Sequence, residues 1–243
     1  NLLKPKGEVA VDVNGFKMFL NSSDKGEVKD ILLRGVYDKL ETETMVQCIK
    51  SGDAVLDIGA HVGYFTLILA RAVGKSGKVF AFEPEPRNFE FLSRNIEINK
   101  LKNVVLENVA LASVSGKSNL FLDKDNLGNM SFSEKNIPKE SLNGSVLVES
   151  QTLDDYAKKI DKKVGFIKID VQGAEGMVFA GGQEILKRDN PVILMEFWPY
   201  GLKNNNTDPA GMLLMLRDAG YKFFVLDVKN QQLKPKKPED LMN

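Results

Sequence analysis

Short apolar runs alternate with segments of helical periodicity along most of this chain, and this alternation constrains its fold more than any other feature. Runs of about four to eight residues that are apolar throughout are typical of strands buried on both faces of a parallel sheet. Parallel strands need helical crossovers, which are right-handed. The pattern predicts an α/β fold with a doubly wound sheet. The predicted strands are 54–58, 78–83, 104–111, 165–170, 191–198 and 221–227, with helices near 63–73, 86–99, 174–187 and 209–219.

Two parts of the chain depart from this alternation. Alternating residues flank Asn14-Gly15, a dipeptide typical of tight hairpin turns, and a helical pattern follows over 24–50. We therefore expect an N-terminal hairpin and helical cap over 1–50 and a larger domain over 51–243, forming one compact unit. Residues 112–150 are rich in Ser, Asn, Lys and Gly, and we expect them to form an insertion near the mouth of the sheet.

The charge balance and the cysteine count narrow the class of protein. Lys plus Arg number 33 and so do Asp plus Glu, so the chain lacks the net positive charge that favours nucleic-acid binding. One cysteine and one histidine exclude an internal disulfide framework and a Cys/His zinc site. No apolar run reaches the length of about 18 residues that a membrane span needs. These totals favour a cytoplasmic protein with no nucleic-acid partner.

Polar residues end the predicted strands. In an open parallel sheet, ligands bind outside the carboxyl ends of the strands, near the point where strand order reverses. The residues at those ends are therefore candidates for a binding site. They are Asp57, Glu83, Asn108, Asp170 and Glu196.

The stretch "DIGAHVG" joins the first of these strands to a helix and contains two glycines, Gly59 and Gly63. Glycines allow a sharp turn and a close approach at a helix N-terminus. Glu83 follows Gly63 at the spacing at which nucleotide folds place a carboxylate for ribose hydroxyls. The loop is not the Gly-x-Gly-x-x-Gly turn that binds a pyrophosphate. The combination favours a nucleoside cofactor without a pyrophosphate, such as S-adenosylmethionine.

Four motifs in order resemble the FkbM family of S-adenosylmethionine-dependent methyltransferases. They are "VLDIGAHVGYFTLILAR", "GKVFAFEPEPRNFEFLSRNIEINKLKNVVLENVAL", "QTLDDY" and "FIKIDVQGAEGMVFAGGQEILKRDNPVILMEF". The resemblance covers about residues 43 to 227. It implies a Rossmann-like class I methyltransferase fold with a seven-stranded, mostly parallel sheet, helices on both faces and an antiparallel last strand. It also implies methylation of hydroxyl oxygens, often on sugars, polysaccharides or other natural products.

The resemblance also assigns cofactor-binding residues. The loop from Asp57 to Gly63 would surround the methionine part, Glu83 would hold the ribose hydroxyls, and Asp170 would face the sulfonium and the substrate. Glu43, a weaker assignment, would reach the cofactor's amino group. Asn108, Val109 and Ala110 would lie against the adenine. The full implied set is Glu43, Asp57, Gly59, Ala60, His61, Gly63, Thr66, Glu83, Pro84, Asn108, Val109, Ala110 and Asp170.

Two residues depart from the family pattern. His61 stands where the family usually has asparagine, and Gln172 stands in "KIDVQGAE" where the family usually has glutamate. The first alters hydrogen bonding around the cofactor, and we interpret His61 as a cofactor-positioning or helix-capping residue rather than a general base. The second removes a carboxylate from position 172, whereas Glu175 is retained. Lys168 lies two residues before Asp170 and is expected to pair with an acid, a base role being the alternative.

The resemblance implies an enzyme that transfers a methyl group to a hydroxyl of a small-molecule or glycan acceptor. An alcohol must lose its proton, and the candidate catalytic residues are Asp170, Glu175 and Glu196, acting as a base or through a divalent metal. We expect the metal-free route. Two alternatives stay open: an RNA methyltransferase, because some tRNA enzymes contain a similar "FEPEPRNFEFLSRNIEINK" segment, and a non-catalytic scaffold that binds the cofactor. The oligomeric state and the acceptor have no signature in the sequence.

Overall fold

The computed structural model describes residues 7–242 of the chain. Its strands are β1 (Glu8–Val13), β2 (Phe16–Asn21), β3 (Ala54–Ile58), β4 (Lys78–Phe82), β5 (Val104–Glu107), β6 (Ala110–Leu111), β7 (Gly116–Asp123), β8 (Leu142–Gln151), β9 (Val164–Ile169), β10 (Val192–Met195), β11 (Phe223–Asp227) and β12 (Gln232–Lys236). Its α-helices are α1 (Glu27–Arg34), α2 (Lys39–Cys48), α3 (Tyr64–Val73), α4 (Pro86–Ile98), α5 (Leu153–Ala157), α6 (Glu175–Ala180), α7 (Gln183–Asp189), α8 (Pro199–Asn204) and α9 (Pro209–Asp218).

A five-stranded parallel sheet forms the centre of the molecule, with the order β10-β9-β3-β4-β5. The chain first builds outward from β3 to β5 and then returns to the other side of β3 with β9. Strand order therefore reverses between β3 and β9, and this is the place where an open α/β sheet leaves a crevice at its carboxyl edge. The predicted α/β sheet is confirmed in its parallel core.

The predicted seven-stranded sheet is not observed within residues 7–242. The segment predicted as one strand over 104–111 divides, because β5 joins the main sheet while β6 pairs with β8. The last predicted strand, β11, pairs antiparallel with β12 in a separate two-stranded sheet. The last antiparallel pairing is thus present, but it is made outside the main sheet.

The insertion over 112–150 provides a second, smaller sheet. β7 and β8 form an antiparallel pair, with β6 parallel to β8 on its other side. The connection between β7 and β8 packs back towards the main sheet, since the Ser131 hydroxyl donates a hydrogen bond to the Gln172 carbonyl at 2.9 Å. The Asn136 side chain also donates to the Gly201 carbonyl at 3.2 Å. These bonds bring the connection to the carboxyl edge of β9.

The predicted N-terminal hairpin is present, with Asn14 and Gly15 both at positive φ, 53° and 80°. This conformation is that of a two-residue hairpin turn. Its second strand is fixed to α4, because the Asn95 and Asn99 side chains bind the main chain of Phe19 and Lys17. Residues 1–6 of the expected N-terminal cap lie outside the described residues.

Two predicted helices are each interrupted. The pattern over 24–50 gives α1 and α2, separated at Gly35, which ends α1 at φ 68°. The pattern over 174–187 gives α6 and α7, separated at Gly181 and Gly182. A Cβ at Gly181 would lie 2.2 Å from the Ala112 carbonyl oxygen, so the main chain at the start of the insertion packs directly on this break. Within residues 7–242, every helix is too short or too polar to cross a lipid bilayer.

Candidate active site

A cleft of ≈ 130 Å³ opens at the carboxyl edge of the sheet, where strand order reverses. Its floor is made by the residues that follow β3, β4 and β9, and the insertion covers it with residues from Asn126 to Phe132. Two N-terminal residues, Glu27 and Tyr37, complete the wall. Eight of the predicted cofactor residues line this cleft: Gly59, Ala60, His61, Glu83, Pro84, Val109, Ala110 and Asp170.

The loop after β3 is shaped by its two glycines. Gly59 has φ 82°, and a Cβ there would lie 1.9 Å from the carbonyl oxygen of Asp170. Gly63 has φ 91° and precedes α3, and a Cβ there would lie 2.7 Å from the Leu92 side chain. Gly59 therefore lets the loops after β3 and β9 approach each other at the reversal point, while Gly63 lets α4 pack against the start of α3.

Asp57 and Thr66 lie beneath the loop, outside the residues that line the cleft. The Thr66 hydroxyl donates to Asp57 Oδ2 at 2.6 Å, and both side chains are fully buried. Burial raises the Asp57 pKa, although Lys168 on the neighbouring strand opposes the shift. The other carboxylate oxygen, Oδ1, is buried without a hydrogen bond. In this structure the pair holds the start of α3 to the end of β3.

Glu83 follows β4 and binds two main-chain N–H groups. Its Oε2 accepts from His61 at 2.8 Å and its Oε1 from Glu85 at 2.9 Å. The side chain is buried, and burial raises its pKa to about 7 against the opposing effect of the His61 charge. Glu83 thus connects the loop after β3 to the turn after β4 and presents a carboxyl group to the cleft.

The residues after β5 divide between two roles. Val109 and Ala110 line the cleft, with Leu120, Met130 and Phe132 from the insertion on the same wall. The structure does not bring Asn108 there. Its exposed side chain donates to the main-chain carbonyls of Glu83 and Pro84, at 2.8 and 3.1 Å, and so fixes the turn after β4.

His61 is buried between acidic residues. Its Nδ1 lies 2.7 Å from Glu27 Oε2, and its Nε2 lies 3.7 Å from Asp24 Oδ2. Burial by itself would lower the His61 pKa, but the hydrogen bond and charge of Glu27 and the charge of Asp24 raise it to about 9. A histidine with this pKa holds its proton at neutral pH, which argues against the general-base alternative.

The structure does not bring Glu43 to the cleft. Its side chain is exposed on α2, where its nearest charged partner is Lys39 at 3.7 Å. Glu41 lies on the inner side of the same helix, and burial raises its pKa to about 7, an effect that Lys168 opposes. Residues two positions apart lie on nearly opposite faces of a helix, so only one of this pair can point inward.

Lys168 is buried in the cleft wall and is paired, as the residues predict. Its Nζ lies 3.8 Å from Asp170 Oδ2, donates to the Gly59 carbonyl at 3.4 Å, and sits 4.9 Å from the centre of the Phe65 ring. Burial would lower the Lys168 pKa, but the charges of Asp170 and Asp57 outweigh it and the pKa lies above the usual lysine value. A lysine with a raised pKa holds its proton more tightly, which argues against the alternative of a lysine base.

Gln172 holds two of the predicted catalytic acids together. Its amide nitrogen donates to Asp170 Oδ1 at 2.7 Å and to Glu196 Oε2 at 3.1 Å. Burial and the charge of Asp170 raise the Glu196 pKa to about 7, although Lys168 and the Gln172 hydrogen bond oppose the shift. Asp170 and Gln172 line the cleft, whereas Glu196 is absent from its lining and is joined to Asp170 through the Gln172 amide.

Glu175 begins α6 and is buried. Its Oε1 accepts from the Val171 main-chain N–H at 3.1 Å, while Oε2 is buried without a hydrogen bond. Burial raises its pKa to about 7. Glu175 is absent from the cleft lining, and its observed contact is that of a residue that closes the turn before its own helix. Within residues 7–242, no three Cys, His, Asp or Glu side chains are grouped as metal ligands.

The sequence reasoning missed Glu27 and Tyr37. Both belong to the N-terminal segment, and both reach the cleft only because α1 and the turn after it pack against the loop after β3. No local spacing marks a contact between residues 34 positions apart, such as Glu27 with His61. The covering residues of the insertion were predicted as a region but not individually.

Comparison with known proteins identifies the family. The model of the methyltransferase FkbM domain matches residues 57–223. "Methyltransferase 1" of Beauveria bassiana is 28% identical over 187 residues, covering 68% of this chain and 72% of that protein. A tRNA(Phe) (4-demethylwyosine(37)-C(7)) aminocarboxypropyltransferase of Methanocaldococcus jannaschii is 34% identical over 97 residues, covering 35% of this chain and 39% of that protein.

Among solved structures, a methyltransferase FkbM from Methylobacillus flagellatus is similar with a TM-score of 0.47 and 14% identity. The match covers 81% of this chain and 55% of that chain. The family model spans more than half of the chain and includes most of the main sheet, the loop after β3 and the strand-end acids. The resemblance predicted from the sequence is confirmed, and the chain belongs to the FkbM methyltransferase family.

Proposed function

We propose that this protein transfers a methyl group from S-adenosylmethionine to a hydroxyl oxygen of a small-molecule or glycan acceptor. The observation that carries the proposal is that two groups of residues with different chemistry lie together at one edge of the sheet. Glu83 and the Gly59 loop line one side of the cleft, and Asp170, joined to Glu196 through the Gln172 amide, lines the other. The first suits a nucleoside, and the second suits the removal of a proton.

The residues present fit the cofactor chemically. Glu83 offers a buried carboxyl group that can accept hydrogen bonds from ribose hydroxyls, and the apolar side chains of Val109 and Phe132 suit an adenine ring. The cofactor, when bound, supplies a methyl group activated by a sulfonium. Asp170 gives the nearby rim a negative charge that suits such a cation.

Glu196 is the residue we assign as the base. A base is most effective when its pKa lies near the working pH, and the Glu196 pKa is about 7. Asp170 contributes by its charge, which raises that pKa, and Gln172 holds both carboxylates in one orientation. Much of the remaining rate enhancement would come from alignment, since a displacement at carbon needs the two reacting atoms in line.

The proposal is tested in two stages with the purified chain. Calorimetric titration with S-adenosylhomocysteine measures cofactor binding, and methyl transfer from labelled S-adenosylmethionine is then measured against a panel of sugars, glycans and phenolic or aliphatic alcohols. Product analysis must place the label on oxygen. Binding without turnover on any member of the panel would favour a non-catalytic scaffold, and label on nitrogen or carbon would reject the assignment of the reaction.

Metal independence is part of the proposal and has its own test. Activity should persist after dialysis against a chelator, because proton removal is assigned to Glu196 rather than to a metal-bound hydroxyl. Loss of activity that Mg²⁺ restores would reject this part alone.

RNA methylation is the second candidate, favoured by the 34% identity to a tRNA-modifying enzyme over 97 residues. The equal numbers of acidic and basic residues argue against it, because RNA affinity rests on phosphate neutralisation. A gel shift with total tRNA, repeated at increasing salt, distinguishes the two. Binding that weakens steeply with salt, together with label transfer to tRNA, would make RNA the acceptor.

A further inference from the structure

Glu27 has one carboxylate oxygen inside the cleft with no partner. Its Oε2 binds His61 Nδ1 at 2.7 Å, but Oε1 is buried without a hydrogen bond, although the residue lines the cleft. A buried carboxylate oxygen without a hydrogen bond is costly, so such an atom in a cavity indicates a missing donor. The donor must come from whatever occupies the cleft.

The surroundings of Glu27 favour a positively charged donor. His61 is cationic, but it is shared among Glu27, Asp24 and Glu83. Burial raises the pKa of both Asp24 and Glu83, so the charge of His61 does not fully offset the cost of burying these two carboxylates. The His61 side chain is 9% exposed, and its Nε2 has no hydrogen bond. The cluster of His61 and Glu27 therefore has two buried polar atoms without a hydrogen-bond partner, His61 Nε2 and Glu27 Oε1. A cation bound here would offset the excess negative charge.

The position of Glu27 is fixed by contacts between the N-terminal segment and the insertion. Asp24 Oδ1 accepts from the main-chain N–H groups of Gly26 and Leu127, at 2.8 and 3.4 Å. Lys25 donates its main-chain N–H to the Asp125 carbonyl at 2.8 Å. A Cβ at Gly26 would lie 2.0 Å from Asn126 Oδ1, so glycine permits this close contact just before α1. Glu27 is therefore held at the cleft before any ligand arrives.

We propose that Glu27 binds the α-ammonium group at the methionine end of the cofactor through Oε1, the role that the family resemblance implied for Glu43. This inference rests on the proposed cofactor. The loop residue His61 relates the two ends of the site, because its main-chain N–H binds Glu83 while its ring binds Glu27. A nucleoside bound at Glu83 would therefore have Glu27 near it, on the other side of His61.

The test compares three ligands on the intact protein by calorimetric titration. They are S-adenosylhomocysteine, its analogue with hydrogen in place of the α-amino group, and 5′-methylthioadenosine, which lacks the whole amino-acid part. In the wild-type protein, removing the amino group should weaken binding about tenfold, as for loss of one buried charge pair. In Glu27→Gln, S-adenosylhomocysteine should weaken about tenfold, while the other two ligands bind as before.

The ratio of the affinities of one variant for two ligands does not depend on how much of the protein is folded. A destabilised variant therefore still tests the inference. Asp30→Asn, at a partly exposed acid on the same helix, is the matched control and should keep the wild-type ratio. Equal weakening of all three ligands in Glu27→Gln would mean that Glu27 only holds the loop, and would overturn the inference. So would loss of discrimination in Glu43→Gln with Glu27→Gln unchanged. If S-adenosylhomocysteine does not bind the wild-type protein, the proposed function itself fails.

Discussion

Glu83 follows β4 and Glu196 follows β10, two strands that end at the same edge of the sheet with β3 and β9 between them. Both residues have a pKa raised to about 7, yet their surroundings differ. Glu83 is buried and accepts two main-chain hydrogen bonds, one on each oxygen. Glu196 is more exposed and accepts one bond from a side chain, the amide of Gln172. Burial is the largest cause of the raised pKa in both residues, but Asp170 adds to it only at Glu196.

The difference separates a binding group from a reacting group. Main-chain donors cannot move without moving the loops that carry them, so Glu83 has a fixed orientation suited to recognition of hydroxyls. A carboxylate held by one side chain and close to another carboxylate changes its protonation more readily, which is what a base requires. The same pKa therefore supports two roles, and the predictions below test whether the roles can be separated.

The largest expected effect is on turnover in Glu196→Gln. Removing a general base typically lowers kcat by about 10²–10⁴. Affinity for S-adenosylhomocysteine should stay within about twofold, because Glu196 is assigned no cofactor contact. Methyl transfer and calorimetry on the same preparation measure both, with Glu149→Gln, a surface acid paired to Lys117, as control. Equal losses in affinity and turnover would mean that Glu196 contributes to cofactor binding and is not the base.

Glu83→Gln should show the opposite pattern. The amide can satisfy one of the two main-chain N–H groups and leaves the other with a poor partner, a cost of about 1–3 kcal/mol. We expect affinity for S-adenosylhomocysteine to fall by about 10–100-fold, measured by calorimetry. Glu85→Gln is the control, since Glu85 is also buried but caps α4 through the Asn88 N–H. Loss of affinity in the control alone would assign recognition to the helix rather than to Glu83.

The sequence predicts the floor of this site better than its walls. The parallel strands, the Asn14-Gly15 hairpin and the Gly59 loop are local patterns, and each is present. The walls depend on contacts between distant segments. Glu27 meets His61 across 34 positions, and the choice between Glu41 and Glu43 depends on which face of a short helix packs inward.

Asn108 and the seven-stranded sheet illustrate the same limit. A polar residue at a strand end is predicted to face the ligand, but Asn108 instead binds the carbonyls of Glu83 and Pro84, which no spacing reveals. β11 has the apolar composition of a strand, yet composition does not determine its partner, and it pairs with β12. Strand identity is local information, whereas pairing is decided by the packing of the whole domain.

A smaller effect, on stability alone, is expected for Glu175→Gln. Burial raises the Glu175 pKa from 4.5 to about 7, so the folded state retains the proton longer than the unfolded state does. The stability that this group contributes is complete below pH 4.5 and is lost as pH rises through 7. The difference in the free energy of unfolding between the variant and the wild type should therefore shift in favour of the variant from pH 5 to pH 8, by on the order of 1–3 kcal/mol.

Denaturant unfolding at both pH values measures this gain, and Glu184→Gln, an exposed acid in the first turn of α7, should show none. Glu175 and Glu196 can be compared directly, because both are acids with a raised pKa whose value is affected by the charge of Asp170. A fall in kcat in Glu175→Gln as large as that of Glu196→Gln would restore Glu175 to the chemistry.

The smallest expected effect is a change in pH dependence in Gln172→Glu. Turnover in the wild type should rise with pH through about 7, as Glu196 loses its proton. The substitution replaces a hydrogen bond that lowers the Glu196 pKa with a third negative charge that raises it, so the midpoint should move upward by about one pH unit. Gln231→Glu is the control, because Gln231 also has positive φ but lies exposed in the β11–β12 turn. An unchanged midpoint would mean that Glu196 is not the titrating base, and a downward shift would mean that the new carboxylate has taken over that role.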